Sequence, residues 1–583
     1  MCGIVGIIDK EGDNLEKNLD KMLLRIYKRG PDGEGTYHDE GISMGMRRLS
    51  IIDIEGGQQP FYSSNNTVIA FQNGEIYNFK ELTRDLKLLG YKFISHSDTE
   101  VIAHGYDAWG ARELFKKLDG MFAIALLDKK INKLFLARDK FGEKPLYFAY
   151  NNKTNKFAYS SDMRGLLDLT WVDNKISPNA LSRYLMLGFT VGEDSIIQDV
   201  KKVLPAHYMS LDLADFKLKK SCYYLPNLEK ASSSKNNKKA LNDILKKSIN
   251  IRLRADVPVG VFLSGGIDSS LIAAMSAKKH PKIDTFSIGF HSDKHDESKY
   301  AKEVAKYIGS NHHHYMFDEK CFVDLLPKVV AELDEPLADQ ACLPTYWLSE
   351  EAKKHVTVVL SGEGADEIFG GYSYFQQKNP TMKLVDNENY TTPSGFPLLM
   401  SVETCKQFMK TDFLSSTTDE DHLFDWIETS RTDIQKSMLT DLTTWLPDDL
   451  LVKLDRMAMA HSLEGRAPYL SKHIVDFNYG LSNDEWINGD KYKVLLRKVA
   501  KDYLPKSIFN RPKQGFVLPM DEWIVKWFEK ESVYDFFTKR TFKELDTDFI
   551  VEWVENQLKG KQFNQRLIFS LIVLYLWITK IKK

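Results

Sequence analysis

The chain has 583 residues, 43% hydrophobic and 27% charged, the composition of an ordinary globular protein long enough for more than one domain. Its 79 basic and 81 acidic side chains nearly cancel to a formal net charge of -2, which argues against a basic nucleic-acid arm or a polybasic membrane patch. Five scattered cysteines (Cys2, Cys222, Cys321, Cys342 and Cys405) form neither a disulfide framework nor a metal motif and suit a reducing, cytoplasmic setting.

The first informative element is the N-terminus, Met1-Cys2-Gly3-Ile4-Val5-Gly6. Removal of Met1 would leave Cys2 carrying both a thiol and a free α-amine. An α-amine titrates near pH ~8, so it can take the thiol proton without a separate histidine. An uncleaved Met1 would acylate that amine and silence it. Asp9, Lys10 and Glu11 follow too soon for a signal peptide. Leu15, Leu19, Met22, Leu23 and Ile26 share one face at helical spacing, and Arg29-Gly30-Pro31-Asp32-Gly33 ends that helix as a turn. Asn78, with Glu81 three residues on, predicts a capped helix with Leu82, Leu86 and Leu89 inward. Segments 122–127, 133–137 and 145–149 read as strands. The Ser-, Asn- and Lys-rich segment 229–239 lacks large apolar residues and reads as a domain linker.

Beyond it the pattern changes. Segments 257–263, 285–290 and 356–360 are short strand-like runs, each leading into a glycine- or acid-containing loop and then a helical pattern. Such βαβ units predict a parallel sheet whose ligands bind beyond the carboxyl ends of the strands. His312, His313 and His314 run into Tyr315, Met316 and Phe317, which predicts a strand rather than a zinc site. From about residue 443 the chain reads mainly helical. Its most apolar stretch, 567–578, is shorter than the roughly 20 residues a bilayer needs, so a buried terminal helix is expected.

Four segments accompany Cys2: Arg29-Gly30-Pro31-Asp32, Arg47-Arg48-Leu49-Ser50-Ile51-Ile52-Asp53, Asn73-Gly74-Glu75-Ile76-Tyr77-Asn78 and Ser97-Asp98-Thr99-Glu100. Taken singly, Asn73-Gly74 is a common hairpin turn, Asp98 a common helix N-cap and Arg48 an ordinary surface residue. As an ordered set behind an N-terminal cysteine they resemble the class II glutamine amidotransferases, over residues 2 to about 210. The resemblance implies an αββα Ntn-hydrolase sandwich that hydrolyses glutamine. Arg48 would clamp the glutamine carboxylate and Asp98 its ammonium, with Leu49, Ile51, Ile52 and Glu75 completing the binding site. Cys2 would attack the amide, and the Asn73 side chain and Gly74 N–H would stabilise the oxyanion.

After the linker, Val259-Gly260-Val261-Phe262-Leu263 leads into Ser264-Gly265-Gly266-Ile267-Asp268-Ser269-Ser270. Glycine N–H groups and hydroxyls at a helix start make an anion cradle. The loop lacks the Gly-Lys-Ser/Thr ending of a Walker A motif. It resembles the pyrophosphate loop of ATP pyrophosphatases, which implies attack at the α-phosphate. A second loop, Leu360-Ser361-Gly362-Glu363-Gly364-Ala365-Asp366-Glu367, adds acids that would be costly to bury without a cation or ligand. The resemblance implies Mg²⁺ on Asp268 and Asp366, ATP against Leu263, Ser264, Gly265, Gly266, Asp268, Ser269, Ser270, Ile288, Ser361 and Gly362, and catalytic roles for Glu363 and Lys493.

A glutaminase domain fused to an adenylating domain resembles the glutamine-hydrolysing asparagine synthetases, and the match extends through Leu446-Pro447-Asp448-Asp449-Leu450-Leu451-Val452-Lys453-Leu454-Asp455-Arg456-Met457. The expected architecture is α/β multidomain. It places the glutaminase sandwich in 1–215, a linker in 216–240, and an α/β parallel-sheet ATP-pyrophosphatase domain with added helices in 241–583. Expected substrates are glutamine, ATP and aspartate, with ammonia passing through a dry internal passage; no nucleic-acid or membrane partner is expected, and a homodimer is left open. The chain departs from the family pattern at Lys28, where histidine is frequent, and at Ser471, where aspartate is usual. Leu333-Asp334-Glu335-Pro336-Leu337-Ala338-Asp339 lies where the acceptor would be selected. Two alternatives stay open: the same chemistry on another carboxylate, such as a sugar uronic acid, or a catalytically idle regulatory homologue.

Overall fold

The computed structural model describes residues 2–12, 14–227, 236–291, 296–376, 392, 395, 397–410, 432–510, 518–560 and 563–581. Near the N-terminus two six-stranded antiparallel sheets lie face to face. Across the first run Val200–Lys202, Tyr147–Asn151, Lys156–Ser160, Gly3–Asp9, Ile42–Arg48 and Gly33–Asp39. Across the second run Leu218–Cys222, His207–Asp212, Lys133–Arg138, Gly120–Asp128, Val68–Ile76 and Phe61–Tyr62. Successive side chains of a strand point to opposite faces. In Gly3–Asp9, Ile4 and Ile8 therefore enter the layer between the sheets, while Val5 and Ile7 pack outward with Leu19, Met22 and Leu23 of helix Leu15–Arg25. On the far side, helices Phe79–Leu88 and Glu100–Lys117 cover the second sheet through Leu82, Leu86, Val101 and Phe115. The result is the expected αββα sandwich.

The second domain is built on a five-stranded sheet, ordered Asn311–Met316, Asp284–Gly289, Val259–Phe262, Val358–Leu360 and Glu464–Arg466, with every neighbouring pair parallel. The first strand in sequence sits centrally and the chain winds outward both ways from it. The topological switch point thus falls between Val259–Phe262 and Val358–Leu360, where such sheets bind ligands. The three expected strands and the His312–His314 strand are all present. Helix Gln565–Ile581 is buried along Leu567 to Ile578. Among the described residues, no helix is long and apolar enough to cross a membrane.

Several local expectations give way. Leu218–Cys222 falls inside the expected linker 216–240, yet it pairs with His207–Asp212 and closes the edge of the second sheet. Asn237 already opens helix Asn237–Arg252. Residues 228–235 of that linker lie outside the described residues. Asn78 does not cap its helix. Its side chain bridges Lys117 O (2.9 Å) and Asp119 N (2.9 Å), and Glu81 reaches across the domain boundary to Arg254. Leu89 stands just past the end of its helix and is exposed. Glu464–Arg466 gave no strand signal, because it is a glycine between two charged residues, and all three residues are buried.

Candidate active sites

Cys2 shares its face with Ile4, so its thiol enters the layer between the two N-terminal sheets. Its backbone N–H donates to Asn73 Oδ1 (3.2 Å), and Asn73 Nδ2 donates to Ser161 Oγ (3.2 Å), which also accepts from Ile4 N (3.0 Å). Nucleophile and amide are thereby tied to one frame. Gly74 has φ +142°, and a Cβ there would stand 2.0 Å from Met121 O, so only glycine fits this close approach beside Asn73. Burial pushes the Cys2 thiol above its ordinary pKa, opposed by the Leu49 backbone N–H and by Arg48.

Arg48 is buried, and its guanidinium is fixed by three loop carbonyls: Ile54 O (2.9 Å), Ile52 O (3.2 Å) and Asp53 O (2.6 Å). Asp98 is not a helix N-cap. Its Oδ2 accepts from Ile76 N (2.7 Å) and Gln72 Nε2 (3.1 Å), and burial lifts its pKa to about 6. Leu49 and Ile51, with Ile52 beside them, pack against Val358 and Met459 of the second domain. Glu75 is buried 3.7 Å from the Arg466 guanidinium of that domain. Burial raises its pKa well above the carboxylate range, with Asp98 and Glu464 adding to the shift.

At the switch point of the parallel sheet lies a cavity of about 710 Å³. Leu263, Ser264, Gly266, Asp268, Ser269, Ile288, Ser361, Gly362, Glu363, Asp366 and Lys493 all line it. Gly265 and Ser270 do not. Gly265, at φ +77°, turns the loop beneath Tyr300 and Ala301, and Ser270 is fully buried in the helix that follows. The Ser264 and Ser269 hydroxyls bond each other (3.0 Å) and brace the loop, with Gly266 N donating to Ser264 Oγ (3.3 Å).

Lys493 occupies the floor of this cavity. Its Nζ lies 2.7 Å from Asp268 Oδ2 and 2.9 Å from Asp366 Oδ1. Burial works against its charge, but the two carboxylates outweigh it and hold the ammonium above its ordinary pKa. Its backbone is left-handed, at φ +54°, an uncommon conformation for a non-glycine residue. Asp268 Oδ1 is buried without a hydrogen-bond partner, and a Cβ at Gly371 would stand 1.8 Å from Asp366 Oδ1. Two hard carboxylates converging on a cation, one with an oxygen to spare, form a donor set suited to Mg²⁺ completed by phosphate oxygens.

The sequence did not single out Lys453, Asp339 and Asp449. Lys453 lines the cavity, with Nζ 3.0 Å from Asp339 Oδ2 and 3.6 Å from Glu363 Oε1. Burial raises the pKa of Glu363, with Lys453 opposing, and burial with Asp339 pushes Asp449 to about 8. Lys453 stands in a motif already quoted, but its direction depends on a helix phase that composition does not show. Lys28 pairs with Glu332 (2.6 Å) on the surface of the domain interface, and Ser471 precedes helix Lys472–Tyr479 as a buried N-cap position without a side-chain cap bond.

Comparison with known proteins agrees with this layout. A family model described as asparagine synthase matches residues 240–579, and one described as a glutamine amidotransferase domain matches residues 1–224. Glutamine-hydrolyzing asparagine synthetase 1 of Bacillus subtilis (strain 168) is 33% identical, covering 99% of this chain and 96% of the relative. The chain belongs to the asparagine synthetase family. Within that family, glutamine-hydrolyzing asparagine synthetase 3 of the same organism is 29% identical over 99% of this chain and 98% of its own length. Asparagine synthetase 1 of Arabidopsis thaliana is 28% identical over 88% and 78%. The chain is thus a member of a ligase family of amino-acid biosynthesis, with a glutamine amidotransferase domain of Ntn-hydrolase fold at its front.

Proposed function

We propose that the chain is an ATP-dependent amide ligase that releases ammonia from glutamine at Cys2 and transfers it to aspartate activated as β-aspartyl-AMP. One observation carries this reading: the switch-point cavity gathers the Ser264–Ser269 loop, Asp268, Asp366, Lys493 and Glu363 around a single space.

In the first half-reaction Arg48 and Asp98 seat the zwitterionic end of glutamine, and the amide meets Cys2. Burial keeps the thiol protonated, so the α-amine of processed Cys2 accepts its proton as sulfur attacks. An amide NH₂ has two donors. Ser161 takes one from Asn73, and the other, with the Gly74 N–H, faces the developing oxyanion. Collapse expels ammonia, and water cleaves the thioester to glutamate.

In the second half-reaction ATP lies along the Ser264–Ser269 loop, with its triphosphate toward the helix N-terminus. Asp268 and Asp366 would hold Mg²⁺, which supplies positive charge to the triphosphate when bound. The aspartate β-carboxylate attacks the α-phosphorus and pyrophosphate leaves. Ammonia then adds to the acyl carbon and AMP departs. Lys493 balances the charge that builds at the phosphate, and Glu363 takes the proton shed by the incoming nitrogen. The raised pKa of Glu363 brings it nearer to that task.

The test is product analysis with glutamine, Mg-ATP and aspartate. AMP, pyrophosphate, glutamate and asparagine should form in equal amounts. ADP and phosphate would refute α-phosphate attack. Equal AMP and pyrophosphate only with another carboxylate, a uronic acid included, would replace aspartate as the acceptor.

A further inference from the structure

Two adjacent residues of the ligation domain reach into the glutaminase site. Asp455, on helix Leu451–Met459, receives a two-pronged bond from Arg29: Nη1 to Oδ2 at 2.7 Å and Nη2 to Oδ1 at 3.1 Å. The same guanidinium donates from Nε to the Cys2 carbonyl (3.1 Å), and Lys144 Nζ adds a second cation 3.3 Å from Asp455 Oδ1. Arg29, Lys144 and Asp455 are all buried. Arg456 bonds Asp162 (3.2 Å), Asp334 and the Ser161 carbonyl (3.0 Å), and Ser161 holds the Asn73 amide through its hydroxyl. A single turn of a ligation-domain helix therefore grips both the backbone of the nucleophile and the frame of its oxyanion donor.

We propose that Asp455 is a positioning residue of the glutaminase site, acting through Arg29 on the Cys2 backbone, so that this site is completed only when the ligation domain is docked. A guanidinium spending three donors on one carboxylate and one carbonyl has a fixed plane. Without Asp455 the fork loses its two-pronged carboxylate, and the donor to the Cys2 carbonyl loses its fixed orientation. The nucleophile then keeps Asn73 on its N–H but loses the fixed donor on its carbonyl. A displacement of about 1 Å at a reacting atom costs up to ~10²-fold in rate.

The inference rests on the glutaminase half of the proposed function, and two variants of the full chain test it. In Asp455→Asn, kcat for glutamine hydrolysis should fall roughly 10- to 100-fold. KM for glutamine should stay within about twofold of wild type, because Arg48 and Asp98 are untouched. The rate of AMP formation from added ammonia and aspartate should be retained. Asp455→Glu keeps the anion on a longer arm and should recover part of the lost kcat. If Asp455→Asn does not fold, Asp455→Glu carries the test by the same contrast between the two rates. Retained kcat in Asp455→Asn, equal loss of the glutamine- and ammonia-dependent rates, or an Asp455→Glu no better than Asp455→Asn would overturn the inference. A wild-type chain that does not hydrolyse glutamine overturns the function and the inference together. Hydrolysis that survives the loss of Asp455 overturns the inference alone.

Discussion

Replacing Lys493 with methionine removes the ammonium that lies 2.7 Å from Asp268 and 2.9 Å from Asp366, and keeps its length and apolar stem. Breaking one side of a buried ion pair costs about 3–5 kcal/mol. The two carboxylate side chains are 22% and 24% exposed, and water recovers part of that cost, so the lower figure of about 3 kcal/mol applies. A domain over residues 240–579 has an unfolding entropy of about 0.7 kcal/mol per kelvin, so its melting point should drop by roughly 4 °C. The same substitution frees two carboxylates for a hard cation. Magnesium alone should then raise the melting point of Lys493→Met by more than it raises wild type, by the mass-action term for a ligand of the folded state. Adenylation should fall roughly 10²- to 10³-fold, the scale of losing one preorganised charge partner in a transition state, while glutamine hydrolysis is unchanged. Calorimetry with and without MgCl₂ and a pyrophosphate-release assay read these effects. A variant that melts with wild type and gains nothing extra from magnesium would show that Asp268 and Asp366 do not form a cation site.

Cys2→Ala should abolish synthesis from glutamine and spare synthesis from added ammonia; parallel loss of both would make Cys2 structural. Asp268→Asn and Asp366→Asn should stop pyrophosphate release while glutaminase persists, and a matching fall in glutaminase would dissolve the separation of the two sites. Asp98 sets a pH dependence. Its folded pKa of about 6 lies above the ordinary value of ~3.9, so between those values the folded chain binds the extra proton. This group therefore stabilises the acid side of the window, and its contribution is lost as pH rises toward 6. Glutamine needs the ionised form to hold its ammonium, so KM for glutamine should climb as pH falls through 6. An Asp98→Asn variant should lack that inflection, and an inflection that survives would belong to another group.

The parts of the sites that were legible in the sequence are those whose chemistry is written in consecutive residues. Asn73-Gly74 states both an amide donor and a backbone that must lack a Cβ, and the structure gives the reason in the 2.0 Å approach to Met121 O. Ser264 to Ser270 announces an anion loop because glycines and hydroxyls at a strand end have few other uses. The same local logic misassigned Asn78: a side chain three residues before a glutamate fits a capping box, but the carbonyl of Lys117 and the N–H of Asp119 compete for it and win. Leu89 failed for a related reason, since helical phase stops carrying information where the helix stops.

What stayed hidden is the joining of the two sites, because it runs between residues remote in sequence. Arg29 and Asp455 are 426 positions apart, and no spacing rule links them. Helix Leu451–Met459 shows why such residues read as unremarkable alone. At about 100° per residue, Lys453 and Asp455 point some 200° apart. Lys453 meets Asp339 and Glu363 in the ATP-side cavity, while Asp455 meets Arg29 behind Cys2. One short helix thus touches both sites. Strand Glu464–Arg466 makes a second such link. Its Arg466 carbonyl accepts from Ser361 N (2.8 Å) at the ATP loop, and its Arg466 side chain faces Glu75 (3.7 Å) at the glutamine site. Any loss of docking between the domains must therefore disturb both sites at once. Under the proposed two-site chemistry, that dependence would tie the release of ammonia to a partner site in place to receive it.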